Sequence, residues 1–180
     1  MKDYFTLLIV IAVLGIVIQP ILIANRLTRL RNKVRELEAD IDVALEKRYD
    51  LLKKQYSIVK MYMSHESQTL IEMIKLRRGM SHEEQENAMK GMNDIASRIN
   101  ASFEAYPNLR STENVLALQR SCDDVEEHLQ AARRLYNAGA TDYNNLCTTF
   151  PACLVATVTG HKQVEYFKAD ESKRKDFDAF

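Results

Sequence analysis

Between Tyr4 and Ala24 the chain reads YFTLLIVIAVLGIVIQPILIA without a charged residue. At helical rise, about 21 such residues cover the roughly 30 Å hydrocarbon core of a bilayer. In hydrocarbon every backbone N–H and C=O must be satisfied inside the segment, so such a run spans as a helix. A cleaved signal peptide is the competing reading. The run exceeds an ordinary h-region, however, and Leu22 spoils the small-x-small pattern before any cut after Ala24. Residues 1–24 are therefore expected to stay as a transmembrane anchor, with Pro20 an effect of the end of the span.

The flanks orient this anchor. Lys2 on one side is offset by Asp3, whereas Arg26, Arg29, Arg31, Lys33 and Arg35 follow closely on the other. Such a bias keeps the second side in the cytoplasm, with the N-terminus outside. The same cations have a second reading as contacts to anionic headgroups, each worth ~1 kcal/mol near the surface. A topology signal alone explains them as well.

The remainder is helix-former chemistry. Five Gly and three Pro in 180 residues leave few sites for tight turns, so the expected class is all-α with one core. Lys plus Arg and Asp plus Glu both total 25, which gives no positive field for nucleic acid. Cys122, Cys147 and Cys153 are odd in number and lack CxxC spacing, as expected of free thiols packed as small core residues in a reducing compartment.

Apolar positions then recur at steps of three and four through Leu27, Leu30, Val34, Leu37, Ile41, Leu45, Tyr49, Leu52, Tyr56, Val59 and Met63, predicting an amphipathic helix continuous with the anchor. The stripe loses phase over Ser64–Ser67, and a short helix through Leu70, Ile71 and Ile74 ends at the basic turn before Gly79. Ser81-His82-Glu83-Glu84 is a capping box opening a helix that carries Met92, Ile95, Ile99, Phe103 and Tyr106, and Pro107 ends it. Thr112 is placed to cap the last helix. Its stripe is the longest: Val115, Leu118, Cys122, Val125, Leu129, Ala132, Tyr136, Gly139, Tyr143, Leu146 and Phe150, stopped by Pro151.

The first and last cytoplasmic helices both reach roughly 57 Å at 1.5 Å per residue. If they pair antiparallel, Phe150 returns to the bilayer level, which requires an even number of helices. The expected architecture is a transmembrane helix followed by an antiparallel four-helix up-and-down bundle over residues 25–150, broken near His65, with three helices and an unbroken first helix reaching Arg78 as the alternative. Its packing residues are Leu37, Ile41, Tyr49, Leu52, Val125, Leu129, Tyr136, Tyr143, Leu146 and Phe150. Residues 151–180 hold an apolar segment, Ala152–Thr159, too short to span, and a tail expected to be partly disordered or surface-bound. Leu154, Val155 and Val158 are expected at the membrane interface, with burial over the open end of the bundle as the alternative.

No constellation suggests catalysis. His65, His82, His128 and His161 are scattered, and none completes HExxH or the Glu-x-x-His of di-iron bundles. There is no P-loop, GxGxxG or GxSxG. The pairs Asp123-Asp124 and Glu126-Glu127 are expected on a solvated helix face, with neighbours about 100° apart rather than forming a dyad. No cofactor, no metal and no enzymatic activity are expected.

Several segments together carry a family resemblance: Asn25 and Leu30-Arg31-Asn32 after the anchor, Ile41-Asp42-Val43, Arg48-Tyr49-Asp50-Leu51, His65-Glu66, Ala105-Tyr106-Pro107-Asn108-Leu109, Leu118-Gln119, Ala132-Arg133-Arg134 before Tyr136-Asn137, Asp142-Tyr143-Asn144, and Phe150-Pro151 before Leu154-Val155-Ala156. In this order the chain resembles the LemA family of bacterial membrane proteins. The resemblance implies a single-span protein with a four-helix bundle and no enzymatic activity. One branch of the family, the MamQ-like relatives, takes part in building magnetosome membranes, and other members are encoded near membrane metalloproteases. The chain departs from the family pattern at Leu52-Lys53-Lys54-Gln55 and after Gly160, where the usual basic cluster is missing.

The expected function is a membrane-anchored scaffold that self-associates at the cytoplasmic face of the bacterial inner membrane, with the bilayer and further copies as partners. An adaptor for a membrane protease or another membrane protein is the alternative. The orientation is directly testable: a reporter fused after Phe180 should behave as cytoplasmic, and alkaline phosphatase activity from that fusion would reverse it.

Overall fold

A computed structural model describes residues 2–60, 76 and 79–167. Within these the chain is helical and no strand occurs: α1 (Lys2–Val59), α2 (His82–Ala105), α3 (Pro107–Arg110), α4 (Glu113–Thr148) and α5 (Ala152–Val158). The expected break at Ser64–Ser67 and the short helix through Leu70 and Ile74 lie outside the described residues.

Helix α1 is 58 residues long and includes Pro20 without ending there. It is long and apolar enough to cross a membrane, and Leu8, Leu14, Ile18 and Leu22 within the apolar run are exposed. The same helix then becomes amphipathic, so no linker separates the apolar run from the packed part.

The chain forms two compact units, Met1–Leu37 with Leu135–Phe180, and Glu38–Arg134. The first buries Leu27, Val34, Leu37, Tyr136, Ala140 and Tyr143. Gly139 is what lets α4 come close to α1 in this unit. A Cβ there would stand 2.8 Å from Leu37 Cδ1 and 3.9 Å from Val34 Cγ2. The missing side chain costs roughly 1 kcal/mol in helix propensity, and Leu37 fills the space it leaves.

The second unit buries Ile41, Leu45, Leu52 and Val59 from α1, Met92, Ile95, Ile99 and Phe103 from α2, and Val115, Val125, Leu129 and Ala132 from α4. Its local signals act as the spacing predicts. Ser81 Oγ accepts from Glu84 N–H at 3.2 Å while Ser81 N–H donates to the Glu84 carboxylate at 2.8 Å. The reciprocal pair is worth on the order of 1 kcal/mol. Gly79 takes φ 72°, and its N–H donates to Asp42 Oδ2 at 3.3 Å. Pro107 stands at the first position of α3, where its missing N–H costs nothing. Thr112 immediately precedes α4, but its hydroxyl donates back to the Leu109 carbonyl at 2.8 Å rather than taking up the expected capping bond to the helix.

Two expectations need correction. Tyr106, placed on the α2 stripe, is exposed because the helix ends at Ala105. Phe150, placed in the α4 seam, is 81% exposed. Helix α4 stops at Thr148, so the three-four register no longer turns Phe150 inward. In the tail, residues 161–167 form no helix or strand and end on Phe167, which is buried, and the rest lies outside the described residues.

Leu129, 2% exposed on α4, tests the core of the second unit. Leu129→Asp should lower stability by roughly 3 to 5 kcal/mol, the scale of an uncompensated buried charge, and thermal melting by circular dichroism reads it. An unchanged melt would remove Leu129 from the core.

Candidate functional site

Most apolar contacts here are interchangeable; the buried polar groups are not. Arg48 lies three residues after Leu45 and four before Leu52, so its side chain issues from the inward face of α1 and is 9% exposed. A guanidinium there needs acceptors. Its Nη2 donates to Asn93 Oδ1 on α2 at 2.6 Å and pairs with Glu126 Oε2 on α4 at 2.9 Å. One cation therefore joins three helices. Burial lowers the guanidinium pKa, and the Glu126 carboxylate beside it opposes that shift. The neighbouring Cys122 thiol is pushed up by burial and by Asp123, with Arg48 pulling the other way, as suits a packed rather than reactive thiol.

Asp42, on the same helix, accepts from Gln85 Nε2 at 2.7 Å as well as from Gly79. Gln85 is completely buried, and its amide oxygen has no hydrogen-bond partner among the described residues. Glu38 stands 3.6 Å from His82 Nε2. Asp42 thereby fastens α1 to α2. Among the described residues no group of three or more His, Cys, Asp or Glu is placed to hold a metal.

The first unit uses another device. Asn137 donates through Nδ2 to the Phe167 carbonyl at 3.0 Å and accepts from the Phe167 N–H at 2.9 Å. One heptad on, Asn144 does the same with Val164, at 2.9 Å in both directions. The two side-chain amides treat the strap 161–167 as a neighbouring strand would, satisfying backbone groups in pairs. Tyr136 OH adds a bond to the Glu165 carbonyl at 3.1 Å, and its ring meets Phe167 edge-on at 5.1 Å. Tyr143 is completely buried. Its pKa is pushed up to about 12, first by burial and then by the adjacent Cys147 thiol, which does not reach hydrogen-bond geometry, while Arg31 and Arg35 draw it back.

The remaining expected residues fall as follows. Arg26, Arg29, Arg31, Lys33 and Arg35 are all exposed. Lys33 pairs with Glu36 at 3.0 Å, and Arg29 Nε donates to the Asn25 carbonyl at 3.3 Å. Leu154 and Val158 are exposed, while Val155 is half-buried. Leu37, Ile41, Leu52, Val125, Leu129, Tyr136 and Tyr143 are buried. Leu146 and Tyr49 are half-buried, Tyr49 beneath the Lys53 ammonium, which lies 5.6 Å from its ring centroid. The three cysteines are free and half-buried rather than fully packed.

Sequence reasoning missed the Arg48–Glu126 pair, because Glu126 with Glu127 reads as a solvated face. It missed the strap too, although Tyr-Asn recurs seven residues apart at 136–137 and 143–144, a signal of two equivalent polar positions on one face.

The described residues make an all-helical protein whose N-terminal helix is long and apolar enough to cross a membrane and runs unbroken into the helical body. The LemA family model matches residues 37–178, and the chain belongs to the LemA family. Protein LemA of Metamycoplasma hominis is 28% identical over 159 residues, covering 86% of this chain and 73% of that protein. Magnetosome protein MamQ of Magnetospirillum gryphiswaldense is 34% identical over 77 residues, and magnetosome protein MamQ 2 of Paramagnetospirillum magneticum is 32% identical over 78. Each covers 43% of this chain, which spans only 28% and 29% of their respective lengths.

The asparagine pairs are open to direct test. Asn137→Ala and Asn144→Ala should each leave a backbone donor and acceptor unpaired, raising local opening of the strap by roughly 1 to 3 kcal/mol. Hydrogen exchange at the Val164 and Phe167 amides reads this, with faster exchange expected at the amide facing the substitution. Unchanged protection would assign the strap to Phe167 packing instead.

Proposed function

We propose that this chain is a non-enzymatic, membrane-anchored scaffold that self-associates at the cytoplasmic face of the bacterial inner membrane. Its cytoplasmic part is the four-helix antiparallel bundle expected for residues 25–150. The observation that supports this most is the continuity of α1, in which one helix supplies both the apolar span and part of a packed core. A helix of this kind suits a part that holds position at a membrane. The pairing of Arg48, Asp42 and the two asparagines with structural partners agrees with that reading. Two relatives of the chain are magnetosome proteins by name, a context that suits a membrane-anchored part.

The second reading, an adaptor for a membrane protease or another membrane complex, uses the same anchor and differs in what binds the exposed helix faces. Mass separates them. Purified in mild detergent, the scaffold should sediment as a discrete assembly of several copies. A monomer that captures one other membrane protein by crosslinking in native membranes would replace it with the adaptor.

A further inference from the structure

We infer that Phe150 and helix α5 form a second, monotopic contact with the bilayer, placed beside the exit of the transmembrane helix. The inference rests on the membrane-anchored reading and lies wholly within the first unit. Two observations set the direction of α4 against α1. Gly139 faces Val34 and Leu37, and Tyr143 lies in the field of Arg31 and Arg35. Advancing along α4 thus means moving back along α1. Thr148, five residues beyond Tyr143, comes about 7 Å further at 1.5 Å per residue, level with about Thr28 and one turn from the end of the apolar run.

The strap confirms which end this is. His161 lies against Tyr143, Val164 pairs with Asn144, and Phe167 pairs with Asn137, so the chain climbs back along α4. The turn between residues 149 and 160 therefore stands at the membrane-facing end. Protein cover on α1 begins at the same level: Ile21 and Leu22 are exposed, Ile23 and Ala24 half-buried, Leu27 buried.

At that end the side chains face the wrong way for a turn in water. Ala152 and Ala156 are buried, while Phe150, Leu154 and Val158 are 81%, 61% and 88% exposed. A turn that merely closed the core would bury its large apolar residues and show its alanines. Leu154 and Val158 are one helical turn apart on a common face, and no charged residue occurs from Phe150 to Gly160. Acyl chains suit this face better than a second copy, because the neighbouring surface of the same unit, Ile18, Ile21 and Leu22, is apolar, exposed and within the span. Arg26, Arg29 and Lys162, all exposed, are placed to reach headgroups around it.

The test uses the full chain with Cys122, Cys147 and Cys153 replaced by Ala and an environment-sensitive fluorophore at Val158→Cys. It is reconstituted in phosphatidylethanolamine–phosphatidylglycerol vesicles whose acyl chains carry bromine. Labels at Leu22→Cys and at exposed Ser97→Cys on α2 serve as references. The expected result is loss of fluorescence at position 158 approaching that at position 22, with none at position 97. Quenching at 22 but not at 158, whether the 158 label is then reached by aqueous iodide or shielded from both quenchers by another copy, overturns the inference while leaving the anchor intact. Absence of quenching at 22 would instead overturn the membrane-anchored reading beneath it. In a companion variant, Leu154→Asp should abolish quenching at 158 with an unchanged thermal melt, because residue 154 is not in the core; persistent quenching would overturn the role of this face.

Discussion

A backbone in hydrocarbon has no water to bond, so a segment that crosses a bilayer alone must be a helix along its whole apolar length. In this chain the helix does not end with the apolar run. Helix α1 continues from Lys2 to Val59, and its stripe of Leu27, Val34, Ile41, Leu45 and Leu52 begins within one turn of the last apolar residue of the span. No break in the helix separates the apolar run from the part of α1 that packs. Within the first unit, Gly139 on α4 is seated at Leu37 of that same helix.

Apolar stripes on long helices are permissive partners: sliding one helix past another by a heptad restores much of the contact. The buried polar groups remove that freedom. Arg48 finds acceptors on two helices only in one register, and a slip would leave a desolvated cation unpaired, at a cost of several kcal/mol. Asp42 does the same between Gln85 and the Gly79 amide. Such groups contribute little net stability compared with leucines of similar volume, and their value here is in excluding alternatives. Asn137 and Asn144 extend that logic to the strap, since each amide recognises a peptide unit regardless of its side chain.

Periodicity made the helices legible because burial repeats every three to four residues and leaves its mark in composition. The anchor, the Ser81 capping box, the stop at Pro107 and the buried positions Ile41, Leu52, Val125, Leu129, Tyr136 and Tyr143 are all of this kind. What stayed hidden depends on partners distant in sequence. Glu126 looks solvated from its neighbours, and only Arg48, 78 residues earlier, explains its position. Residues 161–167 have no period at all, so nothing local announces that two asparagines on α4 hold them. Phe150 misled for the opposite reason, since its spacing continues the stripe two residues past the end of the helix that gave the stripe meaning.

The coupling has a geometric consequence for the family architecture. Along a straight helix each residue adds 1.5 Å of rise and about 100° of rotation. The stretch between Ala24, at the edge of the apolar run, and Val34, under Gly139, therefore fixes which face of the span points toward α4 and how deep it sits. Inserting or deleting one residue there turns Ile18, Ile21 and Leu22 by more than a quarter turn relative to the packed unit, without changing a single core contact above Val34. A chain that had only to be tethered would tolerate any linker at this place. A helix that continues without a break from Ala24 to Val34 instead makes the rotation of the apolar run relative to the first unit's core a property of the sequence.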